Sequence, residues 1–285
     1  MAGEERVDRV RRLDPATVDR IAAGEVVTRP ARVVGELIDN ALDAGASSVD
    51  VAVDGDGTDR IRVADDGEGM SRADARRAVE RHATSKLAPD GDPIGVASLG
   101  FRGEALAAIA DAARLELTTS DGEAAGTRVV VDGTASDDGP EEPTVSDAGH
   151  PRGTTVVVED LFATRPARRE SLAGPAAEFA RVSSLVADYA LANPRVAFAL
   201  EHDGSTTLST PGTGVSDALF GAYDRETASR STELAASVEV GGDGGESVPV
   251  AVAGALAYPS VTRASRDHVR VSVNGRPVRN DRLAA

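Results

Sequence analysis

The chain of 285 residues is long enough for one large domain and a second, smaller one. Hydrophobic residues make up 41% but aromatics only 3%, so any core must be built mainly from Val, Ala, Leu and Ile. The absence of cysteine excludes disulfides and thiolate chemistry, no apolar run approaches the roughly 18 residues of a membrane span, and 47 acidic against 31 basic residues leave a net charge of -16.

In chain order, Asp14-Pro15 reads as an N-cap followed by proline at the first helical position, opening a helix to about Val27. Pro30 opens the next, with Val33, Val34, Leu37, Ile38, Ala41 and Leu42 on its apolar side and Gly45 at its end. Strands follow near 49–53 and 60–64, and Ser71 caps a helix through Val79. From 81 to about 102 the chain is rich in Gly, Pro and polar residues, which inside a compact domain marks a functional lid or disorder. A helix at 103–111 leads to strands at 114–120 and 126–131, an acidic exposed loop at 132–149, and a strand at 153–160 entered through glycine. A helix over 175–192, ended by Asn193-Pro194, precedes a hairpin near 196–209. TPGTGVSD (210–217) is the linker candidate, dividing the chain into 1–212 and 213–285. Beyond it come a helix at 215–222 and strands near 234–240, 247–257 and 268–273.

The chemistry concentrates in GELIDNALDAGA (35–46), DDGEGM (65–70) and GFRGEAL (100–106). Glu36 and Asn40 stand four apart and share a helix face, so a carboxylate able to activate water and an amide oxygen able to hold Mg²⁺ point the same way. Asp65, at a strand end, can accept from the exocyclic amine of adenine, and Gly67 and Gly69 leave room for the base to approach the backbone. Gly100 and Gly103 precede a helix whose free N–H groups suit phosphate. Phe101 and Arg102 lie between them, and Thr84, Ser85 and Lys86 belong to the same lid. Thr154 offers a hydroxyl at a strand start. Singly, each has a plainer reading: a solvated glutamate, a helix-terminal asparagine, an Asp-Gly turn. Their order along the chain describes an ATP site. Lys86, the only lysine, lies between Ser85 and Leu87, which excludes a Walker A loop; the protein-kinase lysine signature is also absent. The four histidines (His82, His150, His202, His268) show no metal-ligand spacing. The acids are spread along the chain and arginine replaces lysine almost throughout, which favours a salt-adapted composition over an acidic tail or a basic partner. The opening residues lack a signal-peptide apolar stretch, and the protein is read as cytoplasmic.

These residues resemble the GHKL ATPases, which include DNA gyrase B subunits, ninety-kilodalton heat-shock chaperones and histidine kinases. IAAGEVVTRPARVVGELIDNALDAGA (21–46), RHATSK (81–86), SLGFRGEAL, the GTT box (153–155), DLF…PARR (160–169) and VNGRPVRNDRL (273–283) are similar to the MutL branch, the mismatch-repair ATPases. The resemblance implies an α/β fold: a two-layer GHKL (Bergerat-type) sandwich with a mixed sheet, followed by a smaller α/β domain. It implies that Glu36 activates water, Asn40 holds Mg²⁺, Asp65 reads adenine beside Gly67 and Gly69, and residues 81–104 form a lid ordered by ATP. It further implies an ATP-driven homodimer, a MutS-type mismatch-recognition partner, and a slow ATPase acting as a switch. Thr164-Arg165 departs from the family's usual residues. The second domain is expected to be incomplete, without the family's later γ-phosphate lysine and C-terminal dimerisation region, which leaves a binding module without appreciable turnover as the alternative. Arg263, Arg266, Arg270, Arg276 and Arg279 are read either as a sequence-independent DNA groove or as surface arginines balancing acids elsewhere. No phosphoacceptor helical hairpin precedes the site, which argues against a histidine kinase, and RHATSK and GFRGEAL argue against a topoisomerase subunit.

Overall fold

The computed structural model describes residues 27–80, 105–135, 142–241, 247–262 and 268–278. The expected first helix, the 81–104 segment with Thr84, Ser85, Lys86, Gly100, Phe101, Arg102 and Gly103, and Arg263, Arg266 and Arg279 lie outside these residues.

Helix α1 (Pro30–Asp43) starts where Pro30, which has no N–H to satisfy, follows an extended Arg29. Its apolar side, including Val33, Val34, Leu37, Ile38 and Ala41, is buried. It ends in a Schellman cap: Ala46 N–H donates to Ala41 O (3.1 Å), Gly45 N–H to Leu42 O (3.0 Å), and Gly45 takes φ 69°. Strands β1 (Ser48–Asp54) and β2 (Arg60–Asp65) follow, then α2 (Arg72–Ala78), whose Ser71 cap accepts from Asp74 N–H at 3.2 Å.

The chain continues through α3 (Ala105–Ala110), β3 (Arg114–Ser120), β4 (Gly126–Asp132), β5 (Thr144–Ala148), β6 (Gly153–Glu159), α4 (Pro166–Glu170), α5 (Pro175–Ala192), β7 (Ala197–His202) and β8 (Ser205–Pro211). These eight strands form one sheet in the order β5-β4-β3-β6-β2-β1-β7-β8. β1 and β7 pair in parallel and the other neighbours antiparallel, so the sheet is mixed, as expected. Alternate residues (Val51, Ile61, Val156, Leu117, Val129, Leu200) are buried, while the intervening positions are more open. One face therefore meets the helices. The other carries ion pairs, among them Arg128 forked onto Glu116 at 2.6 Å through each of two nitrogens. This is an α/β two-layer sandwich.

Two expectations need correction. The stretch at 132–149 is not wholly loop, because Thr144–Ala148 add β5 to the edge of the sheet beside β4, and Asp147 pairs with Arg72 at 2.5 Å. Its polar, weakly alternating residues hide a strand that backbone bonds to β4 hold in place, helped by Val145 against the core and the Asp147–Arg72 pair. Nor does 210–217 run free as a linker. Thr210 is buried at the end of β8, and helix α6 (Val215–Ala222) packs back on that strand through buried Ala218, with Gly221 against Ser209 O. Beyond it are α7 (Arg225–Ser229), a hairpin of β9 (Ser231–Gly241) and β10 (Ser247–Ala257), and a short hairpin of β11 (Val271–Val273) and β12 (Arg276–Val278). Asn274 and Gly275, both at positive φ (50° and 80°), make the β11–β12 turn. No helix among the described residues is long and apolar enough to cross a membrane.

Candidate nucleotide site

Glu36 and Asn40 are both partly buried on α1. Arg32, one turn earlier, binds Glu36 Oε1 at 2.7 Å, so arginine, carboxylate and amide follow one another along one stripe of the helix. At the end of that helix, Ala44 O accepts from Glu68 N–H at 2.9 Å, which brings the Asp65–Met70 turn against the α1 C-terminus.

Asp65 closes β2, and its Oδ1 accepts from Gly67 N–H at 2.9 Å. Burial pushes the Asp65 carboxyl above the ordinary carboxylate range, against the pull of the Gly67 and Thr154 amides; Asp66 adds to the rise and His150 opposes it. Asp66 has a structural task. Burial raises its carboxyl, but the Ser47 hydroxyl (2.5 Å) and the Ser47 and Ser48 amides (2.7 and 2.8 Å) outweigh this and hold it below the ordinary range. The two glycines of the turn are tightly packed. A Cβ at Gly67 would lie 2.9 Å from Ala44 Cβ and Asp65 Oδ1, and one at Gly69 would lie 1.9 Å from Ser120 O. The space a side chain would take there is filled by the protein itself, so packing alone already requires glycine at both positions.

Thr154 pairs with Asp65 across β2–β6 and with Thr119 across β3–β6, so the three stand in one row at the sheet's end. Thr119, which the sequence reading passed over, is fully buried. Its hydroxyl donates to Gly153 O (2.9 Å), accepts from Met70 N–H (3.0 Å) and meets the Thr154 hydroxyl (2.9 Å). Thr119→Val keeps the shape and leaves these partners unmatched. Unfolding free energy is expected to fall by about 2 kcal/mol in denaturant melts; an unchanged midpoint would show the hydroxyl to be dispensable.

Two buried carboxylates, also missed, tie α1 to α5. At the start of α1, Arg29 reaches Glu178 (3.4 Å), which also takes Arg181 (2.5 Å) and Ala173 N–H (2.9 Å). Near the end of α1, Asp39, 1% exposed, accepts from Tyr189 O–H at 2.6 Å and lies 2.9 Å from the Arg276 guanidinium. Asp39 lies off the apolar stripe of α1, on the side that α5 covers, so the sequence alone reads it as a surface acid.

The arginine groove needs revision. Arg276 is committed to Asp39, and Arg270 pairs with Asp188 and donates to Tyr223 O–H (2.8 Å) and Ser184 O (3.2 Å). Both balance acids within the chain. Arg165 has an equally internal role. It donates to Asp111 O at 2.8 Å and pairs with the buried Asp111 carboxylate, pinning the 160–165 loop to the end of α3.

Among the described residues no three His, Asp, Glu or Cys side chains converge. The single amide of Asn40 suits Mg²⁺, which accepts one or two protein oxygens and takes phosphate and water for the rest.

The family model for histidine kinase-, DNA gyrase B-, and HSP90-like ATPases matches residues 28–140. The DNA mismatch repair protein MutL of Halobacterium salinarum is 51% identical over 274 residues, covering 95% of this chain and 40% of that protein. The halophilic source of this relative fits the acid-rich, lysine-poor composition. This chain spans about two fifths of the length of the curated relatives it matches. Among solved structures, the N-terminal domain of a DNA repair protein shares the fold (TM-score 0.74, 23% identity, 93% of this chain and 78% of that one). The Aquifex aeolicus MutL ATPase domain complexed with ADP follows at TM-score 0.66 and 25% identity, over 91% of this chain and 86% of that one. With the mixed sheet, the Glu36–Asn40 helix and the Asp65 turn in place, the chain belongs to the MutL family of DNA mismatch repair proteins, within the GHKL ATPases.

Proposed function

We propose that the chain binds ATP with Mg²⁺, hydrolyses it slowly, and serves in the cytoplasm as an ATP-driven switch in DNA mismatch repair. One observation carries this reading: Glu36 and Asn40 share a face of α1, and the turn that begins at Asp65 is bonded to the same helix's end through Glu68 N–H. In support, the Aquifex aeolicus relative is named as an ADP complex.

Asp65 accepts from the exocyclic amine of adenine, with Thr154 beside it in the sheet. Asn40 offers its amide oxygen to Mg²⁺, whose charge neutralises phosphate oxygens. Glu36 orients a water and takes its proton as the water oxygen bonds to the γ-phosphorus; the bond to the β–γ bridging oxygen breaks and ADP leaves. Lys86, Thr84, Ser85, Gly100, Phe101, Arg102 and Gly103 are assigned to the triphosphate on the strength of the resemblance. The nucleotide unit is 1–212 and the second unit, whose first helix rests on β8, is 213–285. ATP binding brings two copies together, and the dimer answers a MutS-type protein on DNA.

Titration with a fluorescent ATP analogue in molar KCl tests the reading. Saturable, Mg²⁺-dependent binding that ATP displaces more readily than GTP is expected. No binding, or equal displacement by GTP, would overturn it.

A further inference from the structure

The β11–β12 hairpin is fastened to the helix that bears Glu36 and Asn40. Among the described residues three side-chain contacts hold it, and two fall directly on α5. Arg270, just before β11, pairs with Asp188 and donates to Ser184 O. Asn193, the α5 C-cap, donates from Nδ2 to Gly275 O at 2.8 Å in the hairpin turn. Gly275 is required there: at φ 80°, a Cβ would lie 2.5 Å from Asn193 Oδ1. The third contact passes beneath α5 into the core, where Arg276 Nη2 reaches Asp39 Oδ2 at 2.9 Å, and Tyr189 of α5 donates to the other carboxylate oxygen.

Asp39 lies between Glu36 and Asn40 in sequence and is buried, so its charge must be compensated where it stands. The Tyr189 hydroxyl donates to one of its oxygens at 2.6 Å and the Arg276 guanidinium lies 2.9 Å from the other, while Glu36 and Asp43 stand on the same helix. Glu36 and Asp39 are thus mutually repelling carboxylates on one helix, and the cation that offsets Asp39 comes from the far end of the chain. If the hairpin leaves, either Asp39 is left as a buried charge without its cation or the helix is drawn toward water to solvate it. Both outcomes disturb the segment on which the water-activating carboxylate and the metal-holding amide depend.

We infer that Arg276 is a positioning residue: through Asp39 and Tyr189 it holds the Glu36–Asn40 helix in the register needed for hydrolysis, so that docking of the C-terminal hairpin gates turnover. This inference rests on the ATPase reading above. The hairpin is a two-state element, docked or released, and its bias on a distant site is a coupling free energy.

The test uses the full chain in molar KCl, with Arg276→Ala, Arg276→Lys and Asn193→Ala. ATP turnover is measured together with amide hydrogen exchange over residues 30–43 in the absence of nucleotide. For Arg276→Ala, kcat is expected to fall about tenfold with KM within about twofold, and helix exchange to quicken by about tenfold. Arg276→Lys, which keeps the charge, should recover part of both. Asn193→Ala loosens the hairpin without removing the ion pair. It should shift both readouts in the same direction, and it carries the test if Arg276→Ala does not fold. Unchanged exchange in a folded variant overturns the latch, and so does faster exchange with unchanged kcat in an active protein. If the parent chain hydrolyses no ATP, the ATPase reading fails; exchange then reads the hairpin–helix coupling alone, and its gating of turnover falls with that reading.

Discussion

Glu36→Ala is expected to lower single-turnover ATP hydrolysis by about a hundredfold to ten-thousandfold, the range a positioned general base supplies, while ATP remains bound. Alanine suits the backbone because it is the best helix former, and Glu36 is only partly buried, so its removal opens no core cavity. The one ion pair lost is to Arg32, whose side chain is half exposed and whose contribution to stability is correspondingly small. A loss of hydrolysis therefore reports chemistry rather than unfolding. The measurement is a rapid-quench time course at saturating ATP with Mg²⁺ in molar KCl, paired with nucleotide binding for both proteins. Equal hydrolysis in parent and variant would remove Glu36 from the mechanism. Binding without hydrolysis in either would favour the switch-only module over the enzyme.

Helix α1 was legible because three independent signals agreed on it: Pro30 at its start, an apolar stripe at helical spacing, and Gly45 at its end. The same held for α5, between Pro175 and Asn193-Pro194. Strand β5 was not legible, because an edge strand is held by backbone bonds to its neighbour, and side chains such as Thr144, Ser146 and Asp147 carry no burial pattern. Of the candidate site, Glu36, Asn40 and Asp65 could be singled out by residue type and spacing. The supporting shell could not. Thr119 looks like any strand threonine until its three partners, in the Met70 turn and at the start of β6, are known, and Asp39 looks like a surface acid until Tyr189 and Arg276 close over it. Arg270 and Arg276 show the opposite error. A local excess of arginine resembles a phosphate groove when read along the chain, but the compensating acids stand on α1 and α5. Long-range pairing is what a linear reading of charge omits.

Asp65→Asn is expected to weaken ATP binding by about tenfold to a hundredfold, the worth of a hydrogen bond to a charged acceptor. The substitution is nearly isosteric and can keep the acceptor for Gly67 N–H, so the turn should survive. It presents an amide N–H₂ to the adenine amine, donor against donor, whereas the O6 acceptor of guanine would meet it well. Preference should therefore move from ATP toward GTP. The pH dependence follows from the same carboxyl. Its folded-state value lies above the ordinary range, chiefly through burial, so ionising it disfavours folding. That contribution to stability is greatest below the unfolded value of 3.8 and declines as pH rises through the raised one. Nucleotide binding depends on pH in the opposite sense, since it needs the ionised acceptor. Affinity should start to fall at a higher pH than an ordinary aspartate would give, and continue falling as the carboxyl protonates. In the asparagine variant only the nucleotide's own protonation, common to both proteins, should remain. Freed of a penalised charge, that variant should also melt no lower than the parent at neutral pH. A variant that binds ATP as tightly as the parent, with the same pH profile, would take Asp65 out of adenine recognition and leave its half-buried carboxyl as an element of the turn alone.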